Sequence, residues 1–585
     1  MSEQNHAGFA IASCLNKNGV NKIFTLCGGH ISPILVGCEK LDIEIIQVRD
    51  EATTVFAADA VSRITDSVGV AVVTAGPGVT NTVTAVKNAQ MAQSPLVLFG
   101  GAAATLLKGK GSLQDIDQLS LFKKYVKKAV SVKRVRDIVP VVQNALNEAK
   151  SGVPGPIFIE LPIDLLYPEE DIRKEFSNKL SKNGFFNKIK YWYVNKYLND
   201  LFSKKSSSVA ILENKNFSLN QKKIDQAALK IVKAKKPVFI CGNQVTQNKE
   251  YLSMFRKSLK KLQVPTFTSG MARGCFNNKH DFFYRHNRRH ALKNADVIVA
   301  LGVPLDFRLN YGFSFNHEAE YVAINKSKND LILNKKPDLS ILGDPAVIMH
   351  EIGKIINAPN CNEWKNELKD LNTKREKEIL NDSSIVYDKV NPIYLCKKIN
   401  ELKSNESVII ADGGDFVGTA SYVINPNHPL EWLDPGPFGT LGVGGGFAIG
   451  AKSSFPHKEV WILYGDGASA YSLAEFDTMC RHSLPVIAIV GNDASWQQIA
   501  REQKSMLGSN IGTKLEFTSY EKVVEGYGGV GYFIDNQNDI ETIIKAAKKD
   551  AANGLPVLIN VHLSKTDFRK GSISVSYTHL RAHET

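Results

Sequence analysis

Short apolar runs alternate with amphipathic stretches along most of the chain. Runs such as VGVAVVTAG, PVFICGNQV and EVWILYGDG are apolar at nearly every position, and helical patterns separate them. Strands that are apolar on both faces are typical of parallel sheets covered by helices on each side. The alternation recurs in three blocks, so we predict an α/β protein with three doubly wound parallel-sheet domains.

Changes in this pattern give the domain boundaries. We place a first α/β domain at residues 1–170, a central one at 218–358 and a third at 389–568, with connecting segments at 171–217 and 359–388. In open parallel sheets, ligands bind at the carboxyl ends of the strands. Candidate site residues are therefore those that directly follow an apolar run.

Two segments lie outside the three blocks of alternating pattern. Segment 171–217 contains FFNKIKYWYVNKYLNDLF, in which lysines alternate with aromatic residues. We predict a linker helix there; the alternative is a patch for peripheral contact with a membrane surface, or for a long acyl chain. Segment 569–585 ends in SVSYTHLRAHET, which has neither a helical nor a strand period, and we expect this tail to be partly foreign to the fold.

Composition and charge restrict the class of partner. The 585 residues carry a formal net charge of +13, which favours anionic partners such as a CoA ester, a membrane surface or nucleic acid. There is no zinc-finger or RNA-recognition pattern, so we expect no nucleic-acid partner. Eight cysteines without a CxxC spacing are typical of reduced thiols. The start has no long apolar run, and we expect a cytoplasmic location.

Two acidic residues follow two apolar runs with a helical stretch between them. Asp466 lies in a Gly-Asp-Gly turn after the first run, and Asp493 follows the second. Neighbouring parallel strands end at the same sheet edge, so both carboxylates should meet there. With the backbone carbonyl of Ser495 they would supply half of an octahedral oxygen shell, which diphosphate oxygens and water would complete around Mg²⁺.

This spacing resembles the cofactor signature of thiamine-diphosphate-dependent enzymes. The family has an Asn-Asn-like pair where this chain has Asn492-Asp493; Asp493 keeps an oxygen ligand and adds a negative charge. The resemblance implies that Glu51, at the start of a helix, bonds the N1′ atom of the cofactor pyrimidine. Alternatively, Glu51 is an acid favoured there by the helix dipole.

Further motifs match the family and extend the predicted cofactor site. TAGPGVTN resembles the turn of the pyrimidine-binding domain, ADGGDF a turn near the diphosphate, and DPGPFGTLG the segment that bends the cofactor. In that last segment the Gly439 carbonyl would receive the 4′-amino group, and Leu441 would lie beneath the two rings. Tight turns alone are the alternative explanation. The resemblance implies these cofactor-binding residues besides Glu51: Gly76, Pro77, Gly78, Asn81, Gly414, Asp415, Phe416, Gly439, Thr440, Leu441, Gly465, Asp466, Gly467, Ala468, Asp493 and Ser495.

Substrate contacts are predicted from the first two domains. His30 follows a strand and is a candidate proton relay or donor to the thioester oxygen, with a structural helix-start histidine as the alternative. Gln114 matches a glutamine that points at the substrate in the family. Arg273 and Arg308 lie in loops that resemble nucleotide-facing loops, where they would contact CoA or flavin phosphates; ordinary surface arginines are the alternative.

The order of domains resembles the acetolactate synthase and oxalyl-CoA decarboxylase branch, and longer motifs such as WLDPGPFGTLGVG are similar to 2-hydroxyacyl-CoA lyases. The resemblance implies cleavage of a 2-hydroxyacyl-CoA into formyl-CoA and an aldehyde one carbon shorter. The alternative is an acetolactate synthase with FAD in the central domain; a non-catalytic protein of this fold is a third hypothesis, disfavoured by the intact acidic motifs.

Assembly and location also follow from the resemblance. The pyrimidine and diphosphate motifs lie in different domains, and relatives hold one cofactor between two chains. We therefore expect a homodimer or a homotetramer. Relatives begin with a segment that spans the endoplasmic reticulum membrane, so that membrane is the alternative location if the present N-terminus is truncated.

Overall fold

The computed structural model describes residues 6–178, 185–203, 205–207, 209–212 and 217–569. The chain folds as two compact units, residues 1–215 and 216–585. The tail predicted at 569–585 lies outside the described residues except for its first residue, and so do parts of the predicted linker.

The first unit is built on a six-stranded sheet in the order β2-β1-β3-β4-β6-β5, and all its neighbouring strands are parallel. Strand β3, GVAVV, is buried at every position, and burial of each of its valine side chains contributes about 1.5–3 kcal/mol. The strands are β1 Lys22–Leu26, β2 Glu44–Gln47, β3 Gly69–Val73, β4 Leu96–Ala102, β5 Lys128–Ser131 and β6 Pro156–Pro162.

Helices cover this sheet and continue into the predicted linker. Asp50 begins the third helix by accepting a hydrogen bond from the Ala52 N–H at 2.7 Å, as expected of an N-cap residue. The helices are α1 Ala7–Lys17, α2 Ser32–Glu39, α3 Glu51–Ile64, α4 Pro77–Thr80, α5 Val83–Ala92, α6 Gln118–Phe122, α7 Ile138–Lys150, α8 Glu169–Asn178 and α9 Phe185–Leu201.

The second unit contains two further parallel sheets. The central sheet has five strands in the order β11-β10-β9-β7-β8. Its strands are β7 Pro237–Cys241, β8 Thr266–Thr268, β9 Val297–Leu301, β10 Glu320–Asn325 and β11 Leu339–Leu342. The third sheet has six strands in the order β13-β12-β14-β15-β17-β16. Its strands are β12 Ser407–Ala411, β13 Trp432–Leu433, β14 Glu459–Gly465, β15 Ile487–Asn492, β16 Val530–Ile534 and β17 Val557–His562.

Polar side chains begin several helices of this unit. Asp344 accepts from the Ala346 N–H, and Asn391 accepts from the Ile393 N–H. The helices are α10 Gln221–Lys233, α11 Lys249–Leu262, α12 Arg288–Asn294, α13 Lys328–Leu331, α14 Pro345–Ile355, α15 Asn362–Ser383, α16 Pro392–Leu402, α17 Asp415–Val423, α18 Val443–Ser454, α19 Asp466–Ser469, α20 Glu475–Arg481, α21 Gln497–Leu507, α22 Tyr520–Gly526 and α23 Ile540–Ala552.

Three parallel sheets with helices on their faces confirm the predicted fold class. The strand order reverses between β1 and β3 in the first sheet, between β7 and β9 in the central sheet, and between β12 and β14 in the third sheet. The loops that follow these strand pairs diverge and leave a crevice, which is where doubly wound sheets bind ligands. In the described part of the chain, no helix has the length and apolar character needed to cross a bilayer.

Candidate active site

In the first unit, His30 lies at the crevice between β1 and β3. His30 follows β1, Thr74 follows β3, and the His30 Nδ1 atom lies 3.1 Å from the Thr74 Oγ1 atom. Burial lowers the pKa of His30 below its ordinary value of 6.5. The imidazole is therefore neutral at pH 7, and it can accept or donate a proton there.

Glu51 is the first residue of α3 and contacts other residues of the predicted site. Its Oε2 atom accepts a hydrogen bond from the Asn81 Nδ2 atom at 3.0 Å. A Cβ atom on Gly78 would lie 3.5 Å from the Glu51 Oε1 atom. The structure thus brings together three of the residues that the sequence motifs indicated. The carboxylate also occupies a helix N-terminus, so the helix dipole contributes to its placement as well.

The turn at Gly76 brings the Gly-Pro-Gly motif against the loop that carries Gln114. Gly76 has a φ of +61°, and a Cβ atom on it would lie 2.8 Å from the Gln114 backbone oxygen. Both the left-handed backbone and this close approach require glycine. Pro77 then begins α4, for which its fixed φ is suited. Gln114 is therefore adjacent to the predicted cofactor turn.

Gln118, the first residue of α6, contacts this turn. The sequence did not indicate this role. Gln118 is buried, and its Oε1 atom accepts from the Gly76 N–H at 3.0 Å. Its Nε2 atom donates to the Gly101 carbonyl and to Glu160, whose carboxylate is paired with Lys108. Gln118 holds the Gly76 turn in place. A single glutamine at a helix start gives no sequence signal of such a role.

In the second unit, Asp466 and Asp493 meet at one edge of the third sheet. Strands β14 and β15 are parallel neighbours in which Gly465 pairs with Gly491. Asp466 directly follows β14, and its Oδ2 atom accepts from the Ser495 N–H at 3.0 Å. Burial and the Asp466 carboxylate raise the pKa of Asp493 to about 7, and burial raises the pKa of Asp466.

This carboxylate pair fits a divalent cation. The Asp493 Oδ1 atom is buried, and no hydrogen-bond partner for it lies among the described residues. A buried carboxylate oxygen without a partner, beside a second carboxylate, is unfavourable unless a cation neutralises the pair. Throughout the described ranges, no cluster of three or more His, Cys, Asp or Glu side chains could ligate a metal. Backbone and ligand oxygens would therefore have to complete the shell.

Gly467 and Ala468 continue the turn that starts at Asp466. A Cβ atom on Gly467 would lie 2.4 Å from the indole ring of Trp496, so only glycine lets this ring cover the turn. Ala468 is buried. Trp496 immediately precedes α21.

The crevice between β12 and β14 holds the Gly413-Gly414 turn against Leu441. The Gly465 N–H donates to the Gly413 carbonyl at 2.8 Å, and Gly414 has a φ of +117°. A Cβ atom on Gly413 would lie 2.2 Å from the Leu441 Cδ2 atom. The turn and the predicted apolar wedge are therefore packed directly on each other.

Asp412 fixes the segment that carries Leu441, and the sequence did not single it out. Its carboxylate accepts from the Gly442 N–H at 2.9 Å and from the Gly444 N–H at 2.7 Å. Burial raises the pKa of Asp412 to about 7, and the two N–H groups oppose this increase. The side chain joins the end of β12 to the start of α18. Only its position inside the motif ADGGD could have indicated Asp412 from the sequence.

The remaining predicted residues of the third domain lie on the same loops. The Asp415 carboxylate is paired with Arg501, with oxygen and nitrogen 2.6 Å apart, so it is already neutralised before any diphosphate binds. Phe416 packs so closely on β15 that a Cβ atom on Gly491 would lie 2.4 Å from its ring. Gly439 has a φ of +64°, and the Thr440 hydroxyl donates to the Leu441 carbonyl.

A cavity of about 580 Å³ lies between the central and third domains of the second unit and is rich in arginine. It contains both arginines that the sequence indicated. The Arg273 guanidinium donates to the Ser421 carbonyl at 2.8 Å and lies 4.8 Å from the Trp432 ring. Arg308 forms an ion pair with Asp306. The arginines that line the cavity are Arg273, Arg285, Arg288, Arg289, Arg308, Arg375 and Arg569.

The electrostatics of this cavity favour a polyanionic ligand. Burial and the neighbouring Arg273 lower the pKa of Arg285 to about 10, and burial lowers those of Arg273 and Arg288. In the described chain none of these three arginines has a carboxylate at ion-pair distance, although Asp434, Glu376 and Asp306 act on them from farther away. All three side chains are partly exposed, so an anion bound among them would be stabilised by several positive charges at once.

Comparison with protein families assigns all three domains. Residues 5–121 match the N-terminal TPP binding domain of thiamine pyrophosphate enzymes, residues 224–352 match their central domain, and residues 412–561 match their C-terminal TPP binding domain. The chain therefore belongs to the thiamine pyrophosphate enzymes, which confirms the family that the motifs indicated.

Several relatives extend over nearly the whole chain. The 2-hydroxyacyl-CoA lyase 2 of Danio rerio is 49% identical over 580 residues, which is 97% of this chain and 93% of the relative. The human 2-hydroxyacyl-CoA lyase 2 is 43% identical over 582 residues, 97% of this chain and 92% of that protein. A probable acetolactate synthase of Mycobacterium bovis is 30% identical over 559 residues, 95% of each chain.

Proposed function

We propose that this chain is a thiamine-diphosphate-dependent carbon–carbon lyase. It cleaves a 2-hydroxyacyl-CoA into formyl-CoA and an aldehyde one carbon shorter. The observation that carries this proposal is the arginine-lined cavity in a chain that belongs to the thiamine pyrophosphate enzymes. The CoA part of the proposed substrate has several phosphates, which such a cavity would bind. The proposal is supported by relatives named 2-hydroxyacyl-CoA lyase 2 that match 97% of the chain.

Residues of the pyrimidine-binding and diphosphate-binding domains would hold the cofactor. Glu51, oriented by Asn81, would bond the pyrimidine ring, and Leu441 would support the rings from below. Asp466, Asp493 and the Ser495 carbonyl would hold Mg²⁺ together with the diphosphate. When bound, thiamine diphosphate supplies the nucleophilic carbon and accepts the electron pair of the broken bond.

The residues of the first unit would then handle protons. Cleavage of the C1–C2 bond turns the 2-hydroxyl group into an aldehyde carbonyl, and one proton must leave that oxygen. One proton must also reach the carbon that becomes the formyl group, so the reaction consumes and releases equal numbers of protons. His30, neutral and hydrogen-bonded to Thr74 through Nδ1, would accept the hydroxyl proton, and the Gln114 amide would orient the thioester.

The nucleotide part of CoA would bind the arginine cavity. Arg273, Arg285 and Arg288 would contact phosphate oxygens, while Arg308 is partly neutralised by Asp306. FAD, as in the acetolactate synthase alternative, has a diphosphate that would suit the same cavity. The relative from Mycobacterium bovis that is 30% identical is named a probable acetolactate synthase, which supports that alternative.

A homodimer or homotetramer is part of this proposal. Glu51 belongs to the unit formed by residues 1–215, and Asp466 belongs to the unit formed by residues 216–585. Each chain thus provides two half-sites for the cofactor, and assembly would join half-sites of two chains, as in relatives.

One assay distinguishes the two reactions. Purified protein with thiamine diphosphate and Mg²⁺ is incubated in three separate reactions. The substrates are a 2-hydroxy long-chain acyl-CoA, the free 2-hydroxy acid, and pyruvate with 2-ketobutyrate. We expect formyl-CoA and the shortened aldehyde from the CoA ester alone. Glu51→Gln should lower turnover by roughly a thousandfold or more while the cofactor still binds. Acetohydroxy acid formation, or full activity of Glu51→Gln, would contradict the proposal.

A further inference from the structure

Helix α9 has two apolar faces, and the first unit buries only one of them. Val194, Tyr197, Leu198 and Leu201 recur at the helical spacing of three and four residues, and they pack against the core of the first domain. A helix that only covered a domain surface would be polar on its other side. The opposite side of α9 is instead rich in large apolar residues.

Polar contacts fix the buried face in place. The Tyr197 hydroxyl donates to the Asp164 carboxylate at 2.7 Å. Near the end of the helix, Asp200 pairs with Arg134 at 3.0 Å. These contacts anchor the C-terminal half of α9, and they determine which side of the helix faces outward.

The outward face is aromatic. Its four aromatic side chains are between 58% and 78% exposed, and Ile189 lies among them. With 3.6 residues per turn, these positions fall within one side of the helix. The residues of this aromatic face are Phe185, Phe186, Ile189, Trp192 and Tyr193. Contiguous exposed apolar side chains of this size indicate an interaction surface.

Lysines accompany the aromatic face. Lys188 and Lys196 are exposed, and the Lys196 Nζ atom lies 5.0 Å from the centre of the Trp192 ring. Aromatic rings with neighbouring lysines suit the headgroup region of a bilayer, where the rings enter the apolar boundary and the ammonium groups meet anionic lipids. A second copy of this chain would instead present the same lysines, which would repel.

We propose that the aromatic face of α9 binds the surface of an anionic lipid bilayer. The contact is peripheral: the rings insert at the headgroup level, and the lysines hold the helix by electrostatic attraction. An enzyme bound in this way would meet long-chain acyl substrates where they partition. Binding itself is independent of the proposed reaction, because it is measured without turnover.

The test is co-sedimentation of the full chain with vesicles. Vesicles of phosphatidylcholine are compared with vesicles of phosphatidylcholine and phosphatidylserine, at low and high salt. We expect binding to the anionic vesicles that weakens with salt. Lys188→Glu with Lys196→Glu, and separately Phe186→Ser with Trp192→Ser, should each lower the partition coefficient by roughly tenfold or more.

Matched controls separate this surface from general charge and hydrophobicity. Lys222→Glu with Lys233→Glu makes the same change of net charge on exposed positions of α10, and Val386→Ser removes another exposed apolar side chain. Both controls should bind as the unmodified chain does. Trp192→Phe should retain binding but lose the vesicle-induced blue shift of tryptophan emission.

Three results would overturn the proposal. The first is a failure of specificity. Either the chain binds neutral and anionic vesicles equally, or the α9 variants and the control variants lose binding equally. The second is a change of oligomeric state in the aromatic-face variants, by light scattering, which would assign the face to a second copy. The third is a raised KM for acyl-CoA in Trp192→Ser without vesicles, which would assign it to the acyl chain.

Discussion

A neutral imidazole is the property of His30 on which its proposed proton transfer depends. Burial lowers its pKa below 6.5, so the base form persists above pH 6.5 and is lost only as the pH falls through the lower value. We expect kcat/KM for formyl-CoA release to be constant above pH 6.5 and to fall in acid. His30→Asn should lower the plateau by roughly a hundredfold and remove the acidic limb.

Two variants test which group causes the fall of kcat/KM at acid pH, the acidic limb of the profile. Thr74→Val removes the hydroxyl 3.1 Å from Nδ1, and it should lower the plateau less than His30→Asn while the limb remains. His317→Asn changes a fully solvated histidine and should leave the profile unchanged. An acidic limb that persists in His30→Asn would assign the titration to another group.

Residues that a motif contains could be predicted, and residues that support a motif could not. Glu51 and Asp466 lie within sequence motifs of the family. In the structure, Asn81 donates a hydrogen bond to Glu51, and the Ser495 N–H donates one to Asp466. Gln118 and Asp412 act through backbone N–H groups of loops that are distant in sequence. Such contacts depend on how the chain folds back, which a local pattern does not contain.

At the scale of elements, the Gly413 turn and the Leu441 segment act as one packed pair. A Cβ atom on Gly413 would lie 2.2 Å from the Leu441 Cδ2 atom, so Gly413→Ala must displace the leucine. Overpacking of this kind costs about 1–3 kcal/mol. We expect the apparent affinity for thiamine diphosphate to fall by roughly tenfold or more, measured by cofactor titration of activity and by calorimetry.

Gly526→Ala is the matched control, because nothing lies within 4 Å of a Cβ atom at that position in α22. Its cofactor affinity should equal that of the unmodified chain. Unchanged affinity in Gly413→Ala would mean that Leu441 does not contact the cofactor.

Most strands could be predicted from pattern, and the two edge strands β5 and β13 could not. Strands such as β3 and β14 are apolar because helices cover both of their faces. Strand β5 reads KAVS and β13 has only two residues, and both lie at sheet edges, where one side lacks a neighbour. The sequence indicated only Arg273 and Arg308 of the seven arginines in the cavity, because the seven come from separate loops and helices and only the tertiary fold brings them together.

At the scale of the whole molecule, the proposed half-sites make a prediction about mixed assemblies. Glu51→Gln and Asp466→Ala should each be inactive alone, since each lacks one residue that the proposed reaction requires. If a cofactor lies between two chains, a mixed dimer contains one site in which both residues are intact. Co-expression of the two variants should then restore about one quarter of the activity, because half of the dimers are mixed and each has one intact site.

The double variant co-expressed with either single variant is the control, since no pairing of those chains gives a site with both residues intact. Sedimentation velocity should find the mixed sample in the same oligomeric state as the unmodified chain. Restored activity in the mixed sample alone would require that the first unit of one chain acts with the second unit of another. An inactive mixed sample that contains verified mixed dimers would place the whole cofactor site within a single chain, and a monomeric active enzyme would exclude the shared site altogether.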